Sequence, residues 1–345
     1  MEESLACSVT SFGTTETGRE AHLYTLENEA GMSVTLTDMG ACVVSVRVPD
    51  AHGGRPDVCL GYDGLADYEH NGACFGALVG RNANRIAGAS FELGGTTCRL
   101  AAVEKGNSLH SGPHMYFERL WTASRTTDDS VTFNLVSRRG DQGFPGAVDV
   151  NVTYTLTADN QLRVSYEATP DDKTIINLTC HAYWNLNGHA SGSVLDHTFQ
   201  LEADAYTPTR DDLIPTGEIA PVEGTPYDFR APKRLGDDIA EVPGGYDTNF
   251  VLKNGERLER ACTLVGNRTG IALDVLTDSP GLQVYTAGGL DCLGRDGVHY
   301  GNFDGVALET QFFPDAIHHK NFPQPVYDKG HAFKFTTVFA FRVEA

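Results

Sequence analysis

The sequence predicts an all-β protein, a large antiparallel β-sandwich, on three observations. Apolar and polar residues alternate with period 2 in segment after segment; clusters of Gly, Asp, Asn and Pro separate these segments; and no stretch sustains the apolar period of a helix. Successive strand side chains point to opposite faces, so each alternating run offers one face to a core and the other to solvent or a ligand. Many strands without helical crossovers are expected to pair antiparallel and pack sheet on sheet. All-β architectures often exceed the usual domain size as one unit, so residues 1–345 are read as a single domain.

The individual elements follow in chain order. "SFELGGTTCRL" (90–100) reads as a hairpin, because Gly94 and Gly95 accept the positive φ values of a two-residue turn. "VDVNVTYTLTADNQLRVSYEA" (148–168) reads as another, with Val148, Val150, Val152, Tyr154 and Leu156 alternating, "ADNQ" turning, and Leu162, Val164 and Tyr166 resuming the pattern. In "TIINLTCHAYWNL" (174–186), Ile176, Leu178, Cys180, Ala182, Trp184 and Leu186 share one parity. The other parity carries Asn177, Thr179, His181, Tyr183 and Asn185, with no Lys, Arg, Asp or Glu. Short neutral hydrogen-bonding groups suit a wall that touches a polar, uncharged ligand. Residues 211–238, rich in Pro, Gly and Asp, are expected to form a long surface loop region. "HAFKFTTVFAFRV" sets Phe333, Phe335, Phe339 and Phe341 on one face and predicts a closing strand.

Composition narrows the function. The formal net charge of −20 repels nucleic-acid backbones and anionic lipid, so neither nucleic acid nor membrane is an expected partner. The start "MEESLACSVTSFGTTETGRE" lacks the positive charge and apolar run of an export signal, and a cytoplasmic location is expected. The eight cysteines form no C-x-x-C pair, which points to free thiols rather than a zinc or redox motif. His318 and His319 stand side by side, but neighbours on an extended chain face apart and no third ligand is evident, so no metal site is assigned.

Six segments carry a resemblance when taken in series: "GRNANRIAGASFELGG" (80–95), "NSLHSG" (107–112), "NLTCHAYWNLNG" (177–188), "GGYDTNF" (244–250), "PGLQVYT" (280–286) and "ALETQFFPDA" (307–316). In this order and at these separations the chain resembles the aldose 1-epimerase (galactose mutarotase) family nearly end to end. The resemblance implies a supersandwich of antiparallel strands with an open cleft, needing neither metal nor cofactor, as a monomer or homodimer. It implies interconversion of the α and β anomers of free hexoses such as galactose and glucose. His181 corresponds to the family's general acid and Glu309 to its general base. Asn84, Arg85, His110, Asp247 and Gln283 correspond to the residues that hold sugar hydroxyls. Three departures stand out: "LHSG" for the usual "LHGG", which makes Ser111 a candidate for altering sugar choice; Trp184 for the more usual Phe; and Glu104 or its neighbour where the family has Asn.

The chemistry suits these residue types. A cyclic hemiacetal opens when a proton leaves the C1 hydroxyl as another reaches the ring oxygen, so a base on one side and an acid on the other suffice. Strand parity puts Glu309 with Ala307 and Gln311, and the aromatic candidates for stacking on the sugar are Tyr183, Trp184, Phe312 and Phe313. Three other readings remain. A hexose-6-phosphate 1-epimerase would need a basic cluster, and the motif segments offer Arg85 with Arg81 nearby. A glycosidase would need two carboxylates, for which Asp247 and Glu309 are the candidates. A non-catalytic sugar-binding protein of the same fold would retain the cleft alone.

Overall fold

The computed structural model describes residues 6–255 and 257–344. Three large sheets organise the chain, antiparallel throughout. A four-stranded sheet comes from the N-terminal segments Ser8–Thr14, Glu20–Glu27, Ser33–Thr37 and Cys42–Arg47. A nine-stranded sheet runs in the spatial order Thr122–Thr126, Ser130–Ser137, Val148–Leu156, Gln161–Pro170, Phe333–Val343, Ile271–Thr277, Glu259–Val265, Thr198–Leu201 and Lys233–Arg234. A six-stranded sheet runs Tyr183–Trp184, Val306–Gln311, Gly281–Tyr285, Asp247–Leu252, Ala203–Tyr206, Ala220–Pro221.

The alternation in the sequence is the alternation of burial. In Val148–Leu156 the Val and Tyr positions are buried and the intervening ones are not, and the strand pairs with Gln161–Pro170 from Val148↔Pro170 to Leu156↔Leu162. Ser90–Leu93 pairs with Thr96–Arg99 across Gly94 (φ 60°) and Gly95 (φ 80°), the two positive φ values of a type I′ turn. The closing strand Phe333–Val343 occupies the centre of the nine-stranded sheet, where Phe339 and Phe341 pack on Trp184 with ring centroids 4.9 and 5.5 Å apart. One buried apolar cluster extends from Tyr24 to Phe341 and joins all three sheets.

Two expectations are corrected. Residues 176–186 are not one strand: Thr179–His181 pairs with Ala77–Val79, and Tyr183–Trp184 pairs with Val306–Gln311. The chain changes sheets at Ala182, yet the apolar parity from Ile176 to Leu186 stays in the core, because both pieces lie over the same cluster. Residues 211–238 are not purely loop, since Ala220–Pro221 and Lys233–Arg234 form outer strands of the six- and nine-stranded sheets. Among the described residues, no helix is long and apolar enough to cross a membrane, and the eight cysteines are free.

Candidate active site

The six-stranded sheet assembles the site by register. Glu309 lies opposite Gln283, which lies opposite Asn249; in the adjacent row Ala307, Tyr285 and Asp247 align. Residues directly opposite and two apart along a strand share a face, so Glu309, Gln283, Tyr285 and Asp247 come together on one side of three strands. The other side of the same strand carries Val306 and Leu308 into the apolar cluster. Gln283 Nε2 donates to Asp247 Oδ1 at 2.6 Å and so fixes that carboxylate.

A second wall comes from the N-terminal half. The short strand Arg85–Ile86 pairs with Ser108–Leu109, which places Asn84 against His110. Their contacts are reciprocal: His110 N donates to Asn84 O at 3.0 Å, and Asn84 N donates to His110 Nδ1 at 3.1 Å. The second bond makes Nδ1 the acceptor, leaving Nε2 to carry the proton of the neutral ring. Arg85 Nε donates to Glu104 Oε2 at 2.6 Å and Nη2 to Glu104 Oε1 at 3.1 Å, while Nη1 lies 3.5 Å from Asp247 Oδ2. His181 stands between the walls, its ring 5.6 Å from His110, 4.9 Å from Tyr183 and 6.3 Å from Tyr285.

His181 Nε2 lies 3.5 Å from Glu309 Oε1, with both side chains almost wholly buried. Burial raises Glu309 to about 8, with the Asp247 charge adding to the rise and Arg85 opposing it. Burial lowers His181 to about 4. His110 is pushed well below its ordinary value, chiefly by burial and then by His181 and Arg85. Between the two limits the pair therefore holds one proton, on the carboxyl side, with a neutral imidazole facing it. These groups open into a cleft of about 800 Å³. Its aromatic lining is Tyr62, Tyr183, Tyr227 and Tyr285. Among the described residues, no three His, Cys, Asp or Glu side chains are grouped to hold a metal ion.

The aldose 1-epimerase profile matches residues 22–340 of the chain. The chain belongs to the aldose 1-epimerase family. It is 39% identical over 316 residues to the galactose mutarotase of Homo sapiens, covering 90% of this chain and 92% of the relative. It is 38% identical over 315 residues to the aldose 1-epimerase of Escherichia coli K12, covering 89% and 91%. In structure it matches the aldose epimerase homologue from C. elegans with a TM-score of 0.90 at 30% identity, over 94% of this chain and all (100%) of that one. The galactose 1-epimerase of Lactobacillus acidophilus gives 0.85 at 26% identity, over 99% and 100%.

In this aldose 1-epimerase the structure brings the sequence candidates together. His181, Glu309, Asn84, Arg85, His110 and Asp247 line the cleft, while Gln283 sits behind Asp247 and is 3% exposed. The acid and base candidates stand next to each other rather than on opposite sides. Both exchanging oxygens of the sugar are bonded to C1, so their partners belong side by side. Of the polar parity in 177–185, only His181 and Tyr183 face the cleft. Asn177 bonds Phe312 through both ends of its amide, and Asn185 donates to Gly192 O and Asp304 O, so these amides brace backbone.

Other assignments move out of the site. Ser111 accepts from Asn82 N at 2.9 Å and donates to Asn82 O at 3.0 Å, bracing the chain behind His110 without lining the cleft. Trp184 is 0% exposed against Phe339 and Phe341. Phe312 packs on Tyr327 and Phe335, and Phe313 on Phe322. Arg81 donates to Pro145 O, Gly146 O and Ser137 Oγ in the core, so it adds no charge to the cleft. His318 and His319 do not face apart: a 3₁₀ turn at Ala316–His318 curls both rings onto Asp315, at 2.6 and 3.3 Å.

The sequence reading missed Tyr62, Tyr227 and Tyr285 as lining residues. Tyr285 was accessible to parity, two residues from Gln283 on the same strand. Tyr62 and Tyr227 lie outside strands and carried no local signal.

Proposed function

We propose that the chain is an aldose 1-epimerase that interconverts the α and β anomers of free, uncharged aldohexoses such as galactose and glucose. The observation that carries this reading is the buried His181–Glu309 pair, 3.5 Å apart at the floor of the cleft. Ring opening needs one group to take the O1 proton while a neighbour gives one to the ring oxygen. A pair that holds one proton between its limits meets that requirement, and the returning protons regenerate it. An anomeric hydroxyl donating to Glu309 favours its ionised form, as does Arg85, which shifts the shared proton toward His181. In this reading Glu309 is then the base and His181 the acid. Rotation about the C1–C2 bond in the open aldehyde, followed by reclosure, yields the other anomer.

Asn84, Arg85, His110 and Asp247 are read as partners of the sugar hydroxyls, with Gln283 acting by holding Asp247. Residues 1–345 are read as one domain, supported by the apolar cluster common to the three sheets. Polarimetry of freshly dissolved α-D-galactose and α-D-glucose tests the proposal, with nitrophenyl glycosides as a check for hydrolysis. Acceleration of the optical change without release of nitrophenol is expected. A rate equal to the spontaneous one for both sugars would overturn it.

A further inference from the structure

Among the described residues lining the cleft, Arg85 is the sole lysine or arginine, against the carboxyls of Glu104, Asp247, Asp291 and Glu309. The charge of that cation is paired on two sides. Glu104 takes it in a two-point bond, Nε to Oε2 at 2.6 Å and Nη2 to Oε1 at 3.1 Å, and its remaining nitrogen lies 3.5 Å from Asp247. The fork geometry makes this a strong charge-assisted pair that sets the plane of the guanidinium. The Arg85 side chain is 8% exposed and Glu104 is 30% exposed, so the arginine is covered while the carboxylate faces the opening.

Glu104 is itself held. Its backbone N donates to Asn107 O and its O accepts from Asn107 N, closing a tight turn whose Asn107 side chain also accepts from Gly88 N. The guanidinium beside it keeps the carboxyl below the ordinary glutamate range, so it is ionised wherever the site works. An anionic substituent entering the cleft thus meets a cation already paired and an excess of negative charge. A neutral hydroxyl meets a rigidly aimed donor.

We propose that Glu104 is a specificity-determining residue, which aims Arg85 and cancels its charge so that the cleft takes neutral aldoses and turns away aldoses bearing a carboxylate or phosphate. This deepens the epimerase reading, naming the substrate class of that same site and the residue that enforces it.

The test compares wild type with Glu104→Gln and Glu104→Asp. Isothermal titration calorimetry with D-galactose, D-galacturonate and D-galactose 6-phosphate gives the affinity of each anionic sugar relative to the neutral one. Polarimetry on α-D-galactose gives kcat and KM. In Glu104→Gln the anionic-to-neutral ratio is expected to rise by about tenfold or more, with the gain shrinking as salt is added. KM for galactose is expected to rise severalfold, more than kcat falls, and Glu104→Asp is expected to restore the wild-type ratio. The two anionic sugars separate a general charge filter from one that reads a phosphate alone. Should Glu104→Gln not fold, Glu104→Asn is the neutral replacement. A ratio unchanged within about twofold in a folded neutral variant overturns the proposal, and so does a wild type that binds the anionic sugars as tightly as galactose. Because the ratio is a binding measurement, it decides the role of Glu104 even if turnover is absent and the epimerase reading falls.

Discussion

Replacing Glu309 by Gln removes the ionisable group while keeping its shape, and the structure assigns it two opposite effects. The carboxyl has an ordinary value of 4.5 in the unfolded chain and about 8 in the fold, with burial as the main cause. The native state therefore binds more protons than the unfolded state between those limits, and stability declines as pH rises through them. As far as this group is concerned, stability is greatest below 4.5 and the loss is complete above about 8. At about 1.4 kcal/mol per tenfold change in proton affinity, the loss reaches about 3 kcal/mol at pH 7 and about 5 kcal/mol at pH 9. Glu309→Gln does not titrate, so it should match wild type within about 1 kcal/mol at pH 5 and exceed it by those amounts at higher pH. Burial lowers His181 in both proteins, so the difference between wild type and Glu309→Gln isolates the pH dependence that the carboxyl brings to the pair. The same substitution should lower mutarotation by about 10²- to 10⁴-fold, the range for removing one acid–base group. Urea unfolding at about pH 5, 7 and 9, with polarimetry on the same samples, measures both. A stability difference that stays flat with pH would refute the assigned burial of the carboxylate. Retention of full activity would refute its role as the base.

Four further outcomes follow from the structure. The pH profile of kcat/KM should be bell-shaped, with limbs near about 4 and about 8 that belong to the His181–Glu309 pair jointly, and a profile flat across either limb would remove the one-proton account. Arg295→Met should cost about 3–5 kcal/mol in denaturant unfolding, because Arg295 pairs with buried Asp57, which would lose its cation. The same change should raise KM, since the Arg295 guanidinium also donates to Val44 O and so anchors the chain after the lining residues Gly288 to Cys292, while the backbone bond from Arg295 N to Gly61 O is kept. Trp184→Phe should destabilise by about 1–3 kcal/mol without changing KM, because the ring lies in the core; a changed KM would return it to the sugar.

The sequence made the fold class legible because burial in these sheets has the period of the strand. Where Val148–Leu156 alternates, so does its exposure, and the parity of Glu309 with Ala307 and Gln311 identifies the face it occupies. The motif residues were legible through family resemblance, and six of them converge on one cleft. What local pattern does not encode is which distant strand each face meets. His181 and Trp184 are three residues apart on opposite parities and belong to strands in different sheets, a division set by pairing with Ala77–Val79 and Val306–Gln311. The same reason hid Tyr62, Tyr227 and the contact between Glu104 and Arg85, because each depends on long-range placement of a turn. Ser111 shows the converse: adjacency to His110 in sequence implied a place in the site, yet its positive φ of 62° and its bonds to Asn82 turn it away from the cleft.

The strand Val306–Gln311 is buried at every position, which is unusual for a segment carrying a glutamate. Val306 and Leu308 on one face pack into the core cluster, and that packing fixes the backbone from which Glu309 projects on the other. A carboxyl on a mobile loop would be hydrated and would return to its ordinary value, too weak a base to exchange protons with a hemiacetal near neutrality. Raising it requires burial, burial costs stability once it ionises, and only a strand held by a large core sustains that cost. Burial sets the rise, Asp247 adds to it and Arg85 opposes it, and these two charged groups are themselves paired. Glu104 meets this balance through Arg85, whose guanidinium it engages at two points. Charge selection at the mouth of the cleft and proton affinity at its floor are therefore linked through one arginine.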